Sequence, residues 1–205
     1  MSIFSARDEG GKQTFTLIAP PITIGTFNCE CRFAFPLMNN ELLFVVDEND
    51  CVLDVRFRHV VHAEGLRHRA VHILVFDEKG RLFLQKRSMK KDLNAGQWDT
   101  SAAGHVDAGE DYQSSALREI EEELGIVPGP DLEPLFKLTP TVETGMEFVQ
   151  VYRIRHNGPF VLAPEEIDEG GWFSPAEISA RVDADDPSLT ETFKRLWRHL
   201  ESTDR

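Results

Sequence analysis

Between Gly104 and Ile126 the chain crowds acidic side chains onto a loop and a short helix in a way that few folds tolerate. The segment reads Gly104, five residues, Glu110, seven residues, then Arg118-Glu119-Ile120-Glu121-Glu122-Glu123-Leu124-Gly125-Ile126. At about 100° per residue, Glu122, Glu119 and Glu123 fall near 300°, 0° and 40°, so three carboxylates share one arc of the helix. Ala116, Ile120, Leu124 and Leu117 fall at about 60° to 160°, an adjacent apolar stripe. One edge of the helix can pack on a core while the next collects oxygen donors. A Glu-rich helix is ordinarily only a solvated face. Here Glu119 opposes both Glu122 and Glu123 at spacings that cost roughly a few tenths of a kcal/mol per pair, with Arg118 alone nearby to offset them. A cation resolves the conflict. Mg²⁺ or Mn²⁺ accepts a few carboxylates, keeps several waters and bridges substrate phosphates.

The rest of the chain reads as strands with a few helices. Leu42–Val46, the turn 47–50 and the run 51–55 form a strand, turn, strand pattern. His68 to Asp77 alternates, with Arg69, Val71, Ile73 and Val75 on one side and His68, Ala70, His72, Leu74 and Phe76 on the other. Glu78-Lys79-Gly80 turns the chain into a second strand, Leu82 to Arg87. Pro128-Gly129-Pro130 is read as the stop of the acidic helix. Two more strands are expected over 132–142 and 146–156, and a short one at Trp172-Phe173. Ser174-Pro175-Ala176-Glu177 is a capping box with proline at the first helical position. A last helix beginning near Pro187 carries Leu189, Phe193, Leu196, Trp197 and Leu200 on one stripe. Residues 1–40 form an extension of unknown role, with β-branched runs at 14–18 and 22–24 broken by Pro20-Pro21. The main domain spans 41–205, its core about 66–180.

The acidic segment resembles the Nudix box. Gly104, Glu110, Arg118, Glu119, Ile120, Glu122, Glu123, Gly125 and Ile126 each occupy their motif positions, and nine fixed positions in 23 residues make a specific signature. The resemblance implies an α/β Nudix fold: a mixed β-sheet in an α/β/α sandwich, here with an N-terminal β-rich extension and a C-terminal helix. It also implies hydrolysis of a diphosphate in a nucleoside-diphosphate-type or related small molecule. Glu119 and Glu123 would be the main metal ligands. Glu122 would bind a further ion or pair with Arg118, the Gly104 carbonyl would join the coordination sphere, and Glu110 and Arg118 would brace the loop. Glu147, at the head of a strand, is the candidate general base, with Glu143 or Glu122 as alternatives, and Glu122 and Arg118 are counted with it as catalytic candidates. Arg87 and Lys86 are candidates for contact with the diphosphate, Arg through its bidentate fork. Lys90 and Lys91 read equally as a solvated basic loop, and Trp98 as core packing.

A wider stretch, about 41–178, is similar to the Nudix branch that includes isopentenyl-diphosphate isomerase. The residues that carry it are Leu66-Arg67-His68-Arg69-Ala70, Gln85-Lys86-Arg87-Ser88, Gly96-Gln97-Trp98-Asp99, Gly104-His105-Val106 and Trp172-Phe173-Ser174-Pro175. Such isomerases protonate an alkene with a cysteine and a glutamate. The cysteine position, just before the Gly-His pair, is Ala103 here, and the box is intact, whereas in isomerases it is eroded. Isomerases of the branch also bind a metal through histidines, and His68 and His105 match two of those positions, with His62 only approximately placed. Capping, hydrogen bonding or solvent exposure is the alternative for this histidine-rich span. A third class, a sensor that keeps the fold without cleaving nucleotide, would be expected to lose box carboxylates.

Net charge of −13 disfavours a nucleic-acid partner and would repel an anionic diphosphate unless cations and local basic residues compensate. No apolar run approaches membrane-spanning length, and the N-terminus lacks the blocks of a signal peptide, so a cytoplasmic enzyme with no membrane partner is expected. Cys29, Cys31 and Cys51 are too few and too odd in number for a disulfide framework. The family resemblance and the N-terminal segment suggest a homodimer.

Overall fold

The computed structural model describes residues 2–7, 13–18, 41–127 and 132–203. The chain separates into two compact units, 1–38 and 39–205. In the first, β1 (Ser2–Arg7) and β2 (Gln13–Ile18) pair antiparallel. The strand expected at 22–24, Cys29, Cys31 and the Pro128-Gly129-Pro130 stop lie outside the described residues.

The second unit is built on a seven-stranded mixed sheet. Its spine is β5 (His68–Phe76), whose alternation buries both faces: Val71, Ile73 and Val75 on one side, Ala70 and Leu74 on the other. Along one edge β5 runs parallel to β10 (Glu147–Arg155), which also pairs antiparallel with β9 (Glu133–Leu138). Along the other edge it has two antiparallel partners: β6 (Leu82–Arg87) at Val75 and Phe76, and β8 (Ala102–His105) at Ala70 to Ile73. The sheet therefore forks, with β6 leaving to pair with β7 (Trp98–Asp99) and β11 (Ile167–Phe173).

One face is covered by α2 (Tyr112–Leu124), the acidic helix, through Ala116, Ile120 and Leu124. The other is covered by α3 (Pro175–Asp183) and α4 (Glu191–Thr203) through Ile178, Val182, Phe193, Leu196, Trp197 and Leu200. This is the α/β/α sandwich. Ile120 and Leu124 are fully buried, and at about 2 kcal/mol each their burial outweighs the repulsion among the glutamates on the neighbouring arc.

The ends of the helices follow local chemistry. Asp111 caps α2 by accepting from Ser114 N–H, and Gly125 closes it in a left-handed conformation, φ 67°. Helix α2 thus ends at Leu124, before the prolines assigned to that task. Ser174 and Glu177 form the capping box of α3. Helix α4 starts at Glu191 rather than near Pro187. One helix escaped the sequence reading: α1 (Arg58–Glu64) follows the hairpin of β3 (Leu42–Val46) and β4 (Val52–Phe57). Its seven residues are too short to show a period, and Gly65 at φ 60° ends it.

Candidate active site and metal centre

The fork in the sheet is where the acidic helix reaches through. Glu123 Oε2 accepts from Ala103 N–H on β8 at 3.1 Å and from Gln85 Nε2 on β6 at 2.9 Å, so one carboxylate bridges the two diverging strands. Glu119 lies one turn earlier, against Gly104. A Cβ at that position would overlap the Glu119 carboxylate, which is the physical reason for glycine there. Burial pushes the Glu123 carboxyl up to about 8, aided by the charge of Glu119. Burial likewise raises Glu119 to about 7, against the pull of Arg118.

Arg118 organises the rest of the motif. Its guanidinium donates to Glu110, to Glu119 at 2.6 Å, to Glu122 at 3.1 Å and to the His105 carbonyl at 3.1 Å. The fork geometry of arginine suits four acceptors around one plane. Glu110 also accepts from Ser115, fixing the loop to the first turn of α2. Glu122 is the outlying carboxylate, its side chain 61% exposed.

Beside this set stands a second one. Glu147 Oε1 lies 3.5 Å from Nε2 of both His68 and His105, and His62 Nε2 lies 3.2 Å from His105 Nε2. One ligand atom from each of these four residues fits within 4.8 Å of all the others. In two of the three histidines the second ring nitrogen is already committed: His68 Nδ1 donates to the Leu66 carbonyl at 2.9 Å, and His105 Nδ1 to Glu41 at 2.8 Å. Such contacts orient a ring for coordination through Nε2. Among the described residues, His68 Nε2 is the buried side-chain nitrogen or oxygen with no hydrogen-bond partner. Burial would raise Glu147, but the imidazoles of His105 and His68, each 3.5 Å away, hold it well below the usual carboxylate range. Burial would lower His105, but Glu147 and Glu41 lift it to about 9, and His62 is depressed to about 4 by burial and by the His105 charge. His62 was reachable only through α1, which is why spacing placed it poorly.

Glu119, Glu122 and Glu123 of the first set and His62, His105 and Glu147 of the second line one cavity of about 780 Å³, with His68 buried behind them. Arg87 lines it too, held by the Leu93 carbonyl at 3.3 Å and Asp99 at 3.7 Å. Lys91 reaches the cavity paired with Glu166, whereas Lys90 pairs with Glu165 in solvent. Lys86 does not join them. Strand residues alternate, so the neighbour of Arg87 faces away and pairs with Glu169 at 3.5 Å. Arg58, from the unforeseen α1, supplies the cation that Lys86 does not, between Glu41 at 3.4 Å and Asp92 at 3.0 Å. Glu143 lies at the exposed rim. Trp98 packs edge-on against Phe173 at 5.1 Å.

A forked mixed sheet with a carboxylate of the covering helix set between the diverging strands defines the fold and site, and the comparisons supply the family. The NUDIX domain family matches residues 66–194, and the chain belongs to that family as a Nudix hydrolase. An uncharacterized Nudix hydrolase of Yersinia pestis is 39% identical over 157 residues, 77% of this chain and 85% of that protein. An isopentenyl-diphosphate Delta-isomerase of Serratia proteamaculans is 30% identical over 164 residues, 78% of this chain and 92% of that protein. The crystal structure of DR0079 from Deinococcus radiodurans superposes with a TM-score of 0.69 at 28% identity, covering 78% of this chain and 98% of that one. No helix among the described residues is long and apolar enough to cross a membrane.

Proposed function

We propose that this protein is a divalent-metal-dependent hydrolase of a diphosphate linkage in a nucleoside-diphosphate-type small molecule, acting in the cavity between α2 and the histidine cluster. The observation that carries this reading is the pair of carboxylates at the fork of the sheet, Glu123 buried and accepting from Gln85 and Ala103 N–H, and Glu119 half-buried beside Arg118. Their chemistry fits Mg²⁺ or Mn²⁺, with Glu122 and the Gly104 carbonyl as further oxygen donors. When bound there, such a cation neutralises charge on the bridging and leaving oxygens and lowers the pKa of a water. The chain's own contribution is positioning. Arg118 fixes Glu119 and Glu122, Gln85 and Ala103 N–H fix Glu123, and Arg87 and Lys91, which line the same cavity, are the cations available to the diphosphate.

Glu122 is the preferred base in this reading, ahead of Glu147. A carboxylate held as far down as Glu147 is a weak proton acceptor and a good cation ligand. Glu122, half in solvent beside Arg118, is the better acceptor for the proton of the attacking water. Incubation with Mg²⁺ and a panel of nucleoside diphosphate derivatives, dinucleotides, coenzymes and isoprenyl diphosphates tests the reading by the release of monophosphate or phosphate. Failure to take up Mg²⁺ in calorimetry, with or without a pyrophosphate compound, would sink it.

A second metal, held by His62, His68, His105 and Glu147, is favoured by the orphaned His68 Nε2. Three imidazoles and one carboxylate suit Zn²⁺ or another borderline transition metal. Isomerase chemistry is not favoured by this cluster. Ala103 has no proton to shuttle, and among the described residues the one cysteine is Cys51, exposed in the β3–β4 turn. Zinc that survives loss of Glu119 and Glu123 but not of His68 and His105 would establish the second centre.

A further inference from the structure

Strand β5 sets the His72 imidazole on the floor of the cavity. Ala70 lies two residues before it on the same face, and Ala103 stands opposite it across the β5–β8 pairing. Both neighbours end at Cβ, so neither screens the ring.

The hydrogen bonds around His72 decide which nitrogen carries its proton. Nδ1 lies 2.8 Å from Thr100 Oγ1, and that hydroxyl donates to the Ala102 carbonyl at 3.3 Å. A hydroxyl has one proton. With that proton directed at Ala102, the Thr100 oxygen accepts from His72 Nδ1–H. Asp99 Oδ1, 3.9 Å from Nδ1, also favours a proton there. Burial pulls the imidazole pKa down, so the ring is neutral and its lone pair sits on Nε2. Nε2 has no hydrogen-bond partner among the described residues and is not sealed from the cavity as His68 Nε2 is sealed in its cluster.

We infer that His72 Nε2 is a binding element that accepts a hydrogen bond from an N–H or O–H donor on the group carried by the diphosphate. The substrate class is therefore a nucleoside diphosphate with donor-bearing base or sugar, in preference to an isoprenyl diphosphate, whose hydrocarbon would leave the acceptor unsatisfied. The inference rests on the reading that the diphosphate itself lies in this cavity. Asp99, the neighbouring acceptor, is already occupied by Arg87 and by Thr100 N–H, which leaves His72 to select the substrate at this point on the floor.

Equilibrium binding in Mg²⁺ tests it with ADP, GDP, UDP, CDP, ADP-ribose, isopentenyl diphosphate and inorganic pyrophosphate as probes. The wild-type protein should bind at least one of the five nucleoside probes about tenfold or more tighter than isopentenyl diphosphate. His72→Phe should remove most of that preference while leaving pyrophosphate affinity unchanged, and His72→Gln should restore part of it. Thr100→Val leaves the ring in place but frees its tautomer. It should weaken the same probe, and nitrogen NMR should show the His72 proton leaving Nδ1. Absence of any preference in the wild type, an equal loss on every probe, or a Thr100→Val protein with unaltered affinity would overturn the inference. A probe that binds through His72 but is never cleaved would remove the hydrolase reading and leave this one standing. Normal cleavage with unchanged affinity in the His72 variants would do the reverse.

Discussion

The carboxylates of α2 and the histidine cluster beside them meet at the same cavity, which His62, His105 and Glu147 line, yet they are assembled by different physics. Glu119, Glu122 and Glu123 are neighbours because a helix turns by about 100° per residue, so five consecutive positions suffice to bring three of them together. His62, His68, His105 and Glu147 come from α1, β5, β8 and the head of β10, and they meet only because Glu147 is in register with His68 and His105 with Ala70. The electrostatics differ in the same way. The helix set is all acid, with Glu119 and Glu123 driven up by burial and by neighbouring carboxylates. The strand set is internally balanced, with Glu147 driven down and His105 up by each other. The first set carries uncompensated acid that a proton or a cation can relieve, whereas the second is already balanced by its own charges.

The largest effect that would break this contrast is on turnover. Glu123→Gln or Glu119→Gln should cut kcat by about two to four orders of magnitude while leaving denaturant stability unchanged or slightly higher, since a buried repulsion is relieved. Near-normal kcat in either variant would remove the metal assignment. Gly104→Ala should act in the same direction by displacing the Glu119 carboxylate, and should also lower stability by roughly 1–3 kcal/mol as any overpacking does.

Removal of the histidine set should be selective. His68→Ala with His105→Ala should abolish zinc uptake measured by elemental analysis and leave Mg²⁺ binding by calorimetry within about a factor of three. Loss of both metals together would show that the two sets act as one site.

A smaller, graded effect concerns pH. In the metal-free protein Glu119, Glu123 and His105 have folded-state pKa values of about 7, about 8 and about 9, each above its unfolded value. The folded state then holds more protons than the unfolded one, so stability falls as pH rises through these values. His62, depressed to about 4, has finished titrating below this range. Urea midpoints in chelator should therefore decline from about pH 6.5 to pH 9. Mg²⁺ should flatten the carboxylate part of the decline, and zinc the part due to His105. A midpoint that rises over that interval would contradict the burial argument. Least of all, Asp111→Ala should cost about 1 kcal/mol by uncapping α2 with no change in metal affinity.

Much of the framework was legible in the chain because it is written in short periods. The alternation of β5, the apolar stripe of α4 and the Ser174 capping box each fall within a dozen residues. What escaped was either too short or too distributed. Helix α1 has only seven residues, and strands β7 and β8 have two and four, below the length at which a period is visible. Lys86 and Arg87 looked equivalent as a basic pair, and only their alternation on β6 sent one to Glu169 and the other to the cavity. The end of α2 was assigned to prolines when Gly125 had already stopped it.

The sequence by itself determined the chemistry of the acidic helix, because ligand type and spacing within a helix are set by local geometry alone. It likewise determined that Ala103 cannot act as a proton donor. Only the tertiary structure decided where Glu147 belongs, which basic residues face the cavity, and that His72 presents an acceptor to it. Those outcomes depend on strand register and on a fork between β6 and β8, and such pairings join residues too far apart in the chain for any local period to encode.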